Sequence, residues 1–165
     1  MTTAMVCENC VGFGPVTGSR AVSEDFKTLQ RAYKQGLEDL RGTITLGQKF
    51  RDALTSLAAV NEEACVDNWD SYGAKPLSGA AATEAKRFLQ MWPSSLPFPE
   101  IAAEPDGDIA LEWIEARRLM FSLSISGNNR IAYAGVFGVN ETHGTEYFGD
   151  VIPRIVLDSV RRVTR

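Results

Sequence analysis

The sequence predicts an α+β fold: a four-stranded antiparallel β-meander packed with helices, preceded by an N-terminal α-helical hairpin. Three observations lead there. Apolar and polar residues alternate in steps of two between residues 101 and 137, and short turn signals break the pattern. Helical periodicity flanks that region on both sides, at residues 79–91 and 153–163. Upstream, two further amphipathic stretches are separated by only residues 42–45, a connection short enough to make them antiparallel neighbours.

The elements follow in chain order. Residues 1–19 contain glycines, a proline and Cys7-Glu8-Asn9-Cys10 with no periodicity, and read as a flexible arm. Residues 20–66 form the hairpin extension. Ser23 is placed to cap its first helix, which carries the stripe Phe26, Leu29, Tyr33, Leu37 and Leu40; Gly42 suits its end. The second helix, about 46–66, carries Phe50, Leu54, Leu57, Ala58, Asn61, Ala64 and Cys65. Both stripes are narrow, so the hairpin is a candidate surface for a homodimer as well as for its own sheet.

Residues 67–165 form the α+β module. It opens on Asn68-Trp69-Asp70-Ser71-Tyr72-Gly73-Ala74-Lys75-Pro76-Leu77-Ser78, which mixes aromatics, an acid, a base, a glycine and a proline in one connection. Ser78 can cap a helix over 79–91 with Ala81, Ala85, Phe88, Leu89 and Trp92 facing inward, and Pro93, Pro97 and Pro99 stop it. In the first hairpin of the sheet, a loop of Asp106 to Asp108 would pair Ala103 with Leu111 and Ile101 with Trp113. In the third strand Leu119, Phe121, Leu123 and Ile125 point one way, and Met120, Ser122, Ser124 and Ser126 the other. A fourth strand follows Gly127-Asn128-Asn129 and runs to about Phe137. Residues 138–149 read as an irregular loop holding the only histidine, His143. The last helix has the stripe Ile152, Ile155, Val156, Ser159, Val160 and Val163.

Composition narrows the function classes. Hydrophobic content of 44% and charged content of 23% are ordinary globular values, and a net charge of −4 gives no general attraction to nucleic acid or anionic lipid. No apolar run reaches the length of a membrane span, and the start lacks a secretory pattern, so the expected compartment is the cytoplasm. Three cysteines, an odd number, argue against a disulfide framework.

Candidate chemistry is sparse. Cys7 and Cys10 have the spacing of half a zinc site or a redox pair, but only Cys65 and His143 could complete a ligand set. No metal or cofactor is expected. His143, between Glu141 and Glu146, could act as a general base with Asp67 or Asp70 as its orienting acid. The acids Glu100, Glu104, Asp106, Asp108 and Glu112 crowd the first hairpin without an EF-hand pattern. The pairs Arg117-Arg118 and Arg161-Arg162 could meet phosphates, but no nucleic-acid-binding motif accompanies them. Trp69, Tyr72 and Trp113 are residue types that either anchor interfaces or wedge loops onto cores.

The segments Asn68 to Ser78, Glu104-Pro105-Asp106-Gly107 through Leu111-Glu112-Trp113, Ala132-Tyr133-Ala134-Gly135 and His143-Gly144-Thr145-Glu146 give residues 66–165 a resemblance to a group of small uncharacterised bacterial and mobile-element proteins. The resemblance implies that this module is the recurrent unit and residues 1–65 a variable attachment. It also implies a setting of conflict between host and phage or plasmid.

The reading favoured is a non-catalytic binding protein, accessory or inhibitory toward another macromolecule. Its binding residues are Trp69, Asp70, Tyr72, Lys75, His143 and Glu146. Its expected partners are another protein, and a second copy through the helical hairpin, with neither membrane nor nucleic acid involved. The alternatives are a small-molecule enzyme or ligand-binding protein with a pocket near His143, and a nucleic-acid binder using the arginine pairs.

Overall fold

The structure is a computed structural model and describes residues 24–165, without the side chains of residues 25, 43, 44 and 46. The expected arm of residues 1–19, with Cys7 and Cys10, and the Ser23 cap lie outside the described residues. The chain divides into two compact units, Met1–Gly42 and Thr43–Arg165.

In the first unit the described residues are helical and belong to the opening part of α1 (Glu24–Glu63). Leu29 is 73% exposed, Tyr33 67% and Leu40 61%, so the stripe predicted there exists and faces outward.

The helical character expected on both sides of residues 42–45 stands, but the turn between them does not: α1 runs through as one helix of 40 residues. Ending a helix at Gly42 would put it in the left-handed region to satisfy the last carbonyls, and Gly42 has no such φ. Glycine permits that stop without imposing it, and inside a helix it costs only about 1 kcal/mol relative to alanine.

The second unit contains the remainder of α1 and the module. Ala53 and Leu57 of α1, and Ala64 just beyond its end, are buried in its core, and Phe50 meets Phe98 with ring centroids 6.2 Å apart. The second half of α1, read from the sequence as part of the extension, thus shares the module's core. Helix α2 (Gly79–Met91) has the predicted bounds, with Ser78 at its N-cap and Ala81, Ala85, Phe88 and Leu89 buried.

The sheet has five strands in the order β1-β2-β3-β4-β5, all antiparallel: β1 (Glu100–Ala103), β2 (Ile109–Ala116), β3 (Leu119–Ile125), β4 (Arg130–Phe137) and β5 (Asn140–Tyr147). Helix α3 (Arg154–Val163) packs with α2 on the face that carries Leu111, Trp113, Phe121, Leu123 and Ile131. Trp92 and Trp113 lie 4.9 Å apart between ring centroids, and both indole N–H groups donate to the Pro97 carbonyl. The proline-rich connection thus satisfies two buried indoles at once. Ile155, expected inward on α3, is 37% exposed and lies at the edge of the stripe; Val156, Ser159, Val160 and Val163 make its buried part.

Two details of the sheet differ from expectation. The expected four strands are five, since residues 140–147 are a strand rather than a loop. Asn140-Glu141-Thr142-His143-Gly144-Thr145-Glu146-Tyr147 shows no apolar alternation because β5 is an edge strand held by its ladder to β4 rather than by burial. Gly138, at φ +72°, opens the two-residue turn that returns the chain.

The first hairpin does have a three-residue loop, but it is Pro105-Asp106-Gly107. Ile101 therefore faces Leu111, and Ala103 faces Ile109. The register is displaced by two residues, which preserves the apolar face.

Candidate functional site

The connection between α1 and α2 is a tightly specified turn. Asn68 (φ 59°), Ser71 (φ 65°) and Gly73 (φ 95°) all have positive φ. Two of the three are not glycine, so the conformation is held by bonds rather than by intrinsic preference. Asp70 Oδ1 accepts the N–H groups of Tyr72 (2.8 Å) and Ala74 (3.0 Å). Asn68 Oδ1 accepts the Gly73 N–H at 2.7 Å, and the Asn68 N–H donates to the Ala74 carbonyl at 2.8 Å. The Tyr72 N–H, and then the Ala74 N–H, hold the Asp70 carboxyl below the ordinary carboxylate range.

The turn is fastened to the sheet. The Lys75 N–H donates to the Pro105 carbonyl, and the Ser78 N–H donates to the Gly107 carbonyl. Gly107 has φ +95°, and a Cβ there would lie 2.8 Å from the Pro76 carbonyl oxygen, so strand hairpin and connection meet backbone to backbone. Trp69 is half-buried against the core and donates its indole N–H to the Lys75 carbonyl at 3.0 Å. Ala74 and Leu77 are buried. Tyr72 is 93% exposed. Of these two aromatics only Trp69 wedges the connection onto the core.

Of the six residues predicted to bind, the structure brings together Trp69, Asp70, Tyr72 and Lys75. His143 and Glu146 lie elsewhere, on β5. The 68–78 connection is bonded to the β1–β2 turn, and β2, β3 and β4 separate β1 from β5. Four strand spacings put the two edges roughly 19 Å apart. Asp67 or Asp70 therefore cannot orient His143, and the pocket imagined around these three residues is not formed.

His143 and Glu146 also point to opposite faces of the sheet. His143 is paired with the exposed Ala134, and Glu146 with the buried Ile131. The two serines of β3, Ser122 and Ser124, do lie on the sheet face that His143 shares, yet both serve neighbouring acids. Ser124 Oγ donates to Glu104 at 2.6 Å, and Ser122 Oγ to Glu112 at 3.4 Å.

The acidic hairpin tip converges as its composition suggested. Carboxylate oxygens of Glu104, Asp106 and Asp108 lie within 4.8 Å of one another, the oxygen-only donor set of a hard cation. Burial, and then the charges of Asp106, Asp108 and Glu112, push the Glu104 carboxyl above the usual range against the pull of the Ser124 hydroxyl. Asp108 is raised by burial and by Asp106, with Ser124 and Lys75 opposing. Glu104 is already bonded to Ser124, and Asp106 accepts the Asp108 N–H at 3.3 Å. The tip is thus internally bonded.

The arginine pairs divide. Arg117 and Arg118 form the exposed β2–β3 turn. Arg161 pairs with Asp158 at 3.0 Å, and the Arg162 guanidinium lies 4.3 Å over the Phe137 ring. Cys65, expected in the core, is exposed, and its thiol donates to the Glu62 carbonyl.

One polar cluster escaped sequence reasoning. Glu84 is buried in the α2 stripe and accepts the Asn129 N–H at 3.2 Å. Arg87 donates to Asn129 Oδ1 and to the Phe148 carbonyl, and its guanidinium lies 4.7 Å over the Phe148 ring. Together they staple α2 to the β3–β4 turn and to the end of β5. The signal was present: Glu84 falls at the i+3 position from Ala81, inside the apolar register, where a charge demands a partner.

No helix among the described residues is long and apolar enough to cross a membrane. Compared with known proteins, the chain matches no family model, no curated protein and no solved structure.

Proposed function

We propose that this is a non-catalytic binding protein that recognises another macromolecule through the turn at residues 68–75, with Tyr72 as its anchor. The observation that supports this reading is a fully displayed aromatic ring on a pre-organised backbone. Tyr72 is 93% exposed, while the residues on either side of it are held by Asp70 and Asn68. A tyrosine offers large amphipathic contact area at low entropic cost, and a rigid turn loses little freedom on binding. Asp70 and Lys75 supply opposite charges beside the ring, which favours a polar rim around an aromatic centre.

The partner is another protein in this reading, and the protein's role is accessory or inhibitory. The proposal places the protein in the cytoplasm. The setting of bacterial or phage conflict comes from the sequence resemblance of residues 66–165.

The test compares tagged wild type, Tyr72→Ala and His143→Ala in capture experiments from bacterial extract, followed by titration with the purified partner. Tyr72→Ala should weaken binding at least tenfold at unchanged Tm, and His143→Ala should leave it intact. Full binding by Tyr72→Ala would overturn the reading.

A further inference from the structure

The N-terminal half of α2 and the β3–β4 turn frame an open cavity of about 420 Å³, away from the Tyr72 turn. It exists because part of its wall is short: Gly79 and Ala80 on the helix side, Gly127 on the turn side. Gly127 has φ +78°, and a Cβ there would lie 2.6 Å from the Ala80 Cβ, so turn and helix meet with no side chain between them.

Glu84 and Arg87 also line this cavity. Glu84 is only 5% exposed. Its Oε2 accepts the Asn129 N–H, but its Oε1 has no hydrogen-bond partner among the described residues. The Arg87 Nε–H is likewise buried without an acceptor among them. Oε1 and Arg87 Nη2 approach to 3.7 Å, too far for a hydrogen bond, while Nη2 donates to Asn129 and Phe148. Those bonds are enough to staple α2 to the turn. A buried acceptor and a buried donor left over in one wall call for a common ligand, because buried polar groups are nearly always paired.

The charges define that ligand. Glu84 and Arg87 are the only charged residues lining the cavity, and their signs are opposite. A lone anion would face Glu84, and a lone cation would face Arg87. A molecule with an ammonium donor beside a carboxylate acceptor meets both, and charge-assisted hydrogen bonds are the stronger kind. An α-amino acid carries these two groups on one carbon. The cavity holds far more than one water, whose share of liquid volume is about 30 Å³. Thr83 Oγ1 donates to the Gly79 carbonyl at 2.8 Å and keeps its lone pairs for a polar group of the ligand.

We infer that this cavity binds a free α-amino acid, whose ammonium group donates to Glu84 Oε1 and whose carboxylate accepts from the Arg87 Nε–H. Both atoms are closed to solvent, so the amino acid reaches them by widening the 3.7 Å contact, the longest polar contact of the cluster.

The test follows the backbone amide signals of the full, isotope-labelled chain while each common L-amino acid is added in turn. At least one should saturably shift the signals of Thr83, Glu84, Arg87 and Asn129. Its decarboxylated amine and its deaminated acid should each bind at least tenfold more weakly. Glu84→Gln, which exchanges the free acceptor for an amide, should weaken binding at least tenfold. Where Glu84→Gln also lowers Tm, Gly79→Leu decides. A Cβ at Gly79 meets nothing within 4 Å, so that variant keeps the staple, fills the cavity and should abolish binding. The absence of a saturable shift with every amino acid means that the cavity takes water only, and overturns the inference. Equal binding by the amine or by the acid alone overturns it, and so does binding indifferent to both variants. Tyr72→Ala should leave the titration unchanged, so this inference and the Tyr72 reading fail separately.

Discussion

The 68–78 connection and strand β5 both held predicted binding residues, and the structure treats them in opposite ways. The connection is irregular in secondary structure yet rigidly specified. Three positive-φ residues, two side-chain caps and an indole N–H bond hold it against the β1–β2 turn. Strand β5 is regular in secondary structure yet held almost only by its ladder to β4, with exposed side chains along most of its length. Regularity and specification are therefore different properties. A recognition surface needs a fixed backbone beneath an exposed side chain, and of the two regions only the connection has side-chain bonds holding its backbone around Tyr72.

This comparison is best broken at Trp69. Trp69→Ala should cost about 2–4 kcal/mol in denaturant unfolding, because a half-buried indole and its bond to the Lys75 carbonyl are lost together. A near-neutral result would mean that the connection is not fastened to the core. Gly107→Ala comes next, at about 1–3 kcal/mol, since a side chain at φ +95° would also press on the Pro76 carbonyl. At the other extreme, His143→Ala should change stability by no more than about 0.5 kcal/mol.

The pH response sharpens the same contrast, with opposite signs at the two ends of the seam. Asp70 has a lowered carboxyl pKa in the folded state, so its contribution is fully present above the ordinary carboxylate value, about 3.9. It is lost as pH falls below that and through the folded value. Glu104 and Asp108 are raised, so their ionised forms burden the fold at neutral pH, and protonation relieves that burden as pH falls through their raised values. Asp70→Asn should therefore flatten the acid limb of a stability–pH curve. Glu104→Gln should remove the gain that wild type shows just above that limb. Chemical denaturation between pH 3 and 7 reads both.

Much of the fold was legible because burial writes itself into periodicity. Ala81, Ala85, Phe88 and Leu89 marked α2, and Ser78 marked its start. Leu119 to Ile125 marked β3 with both of its faces. What was not legible lacks that cause. Strand β5 buries no alternating apolar residues, so its ladder left no trace beyond the turn at Gly138. Gly42 reads equally as a stop or as a tolerated helical residue, and only the structure shows which.

In the site, composition pointed to residues 68–78 but could not tell the buried aromatic from the exposed one. Trp69 and Tyr72 stand three residues apart, a helical spacing that would place them together, whereas the positive-φ turn sends them apart. Glu84 was readable and missed, because a charge within an apolar stripe calls for a search for its partner rather than for a gap in the stripe.

The account rests on Tyr72 being displayed for recognition rather than left over from folding. The most direct measurement is the affinity of the purified partner for wild type and Tyr72→Ala, with thermal unfolding of both proteins in the same buffer. The account predicts equal Tm and at least a tenfold loss of affinity. Equal affinity at equal Tm would contradict it.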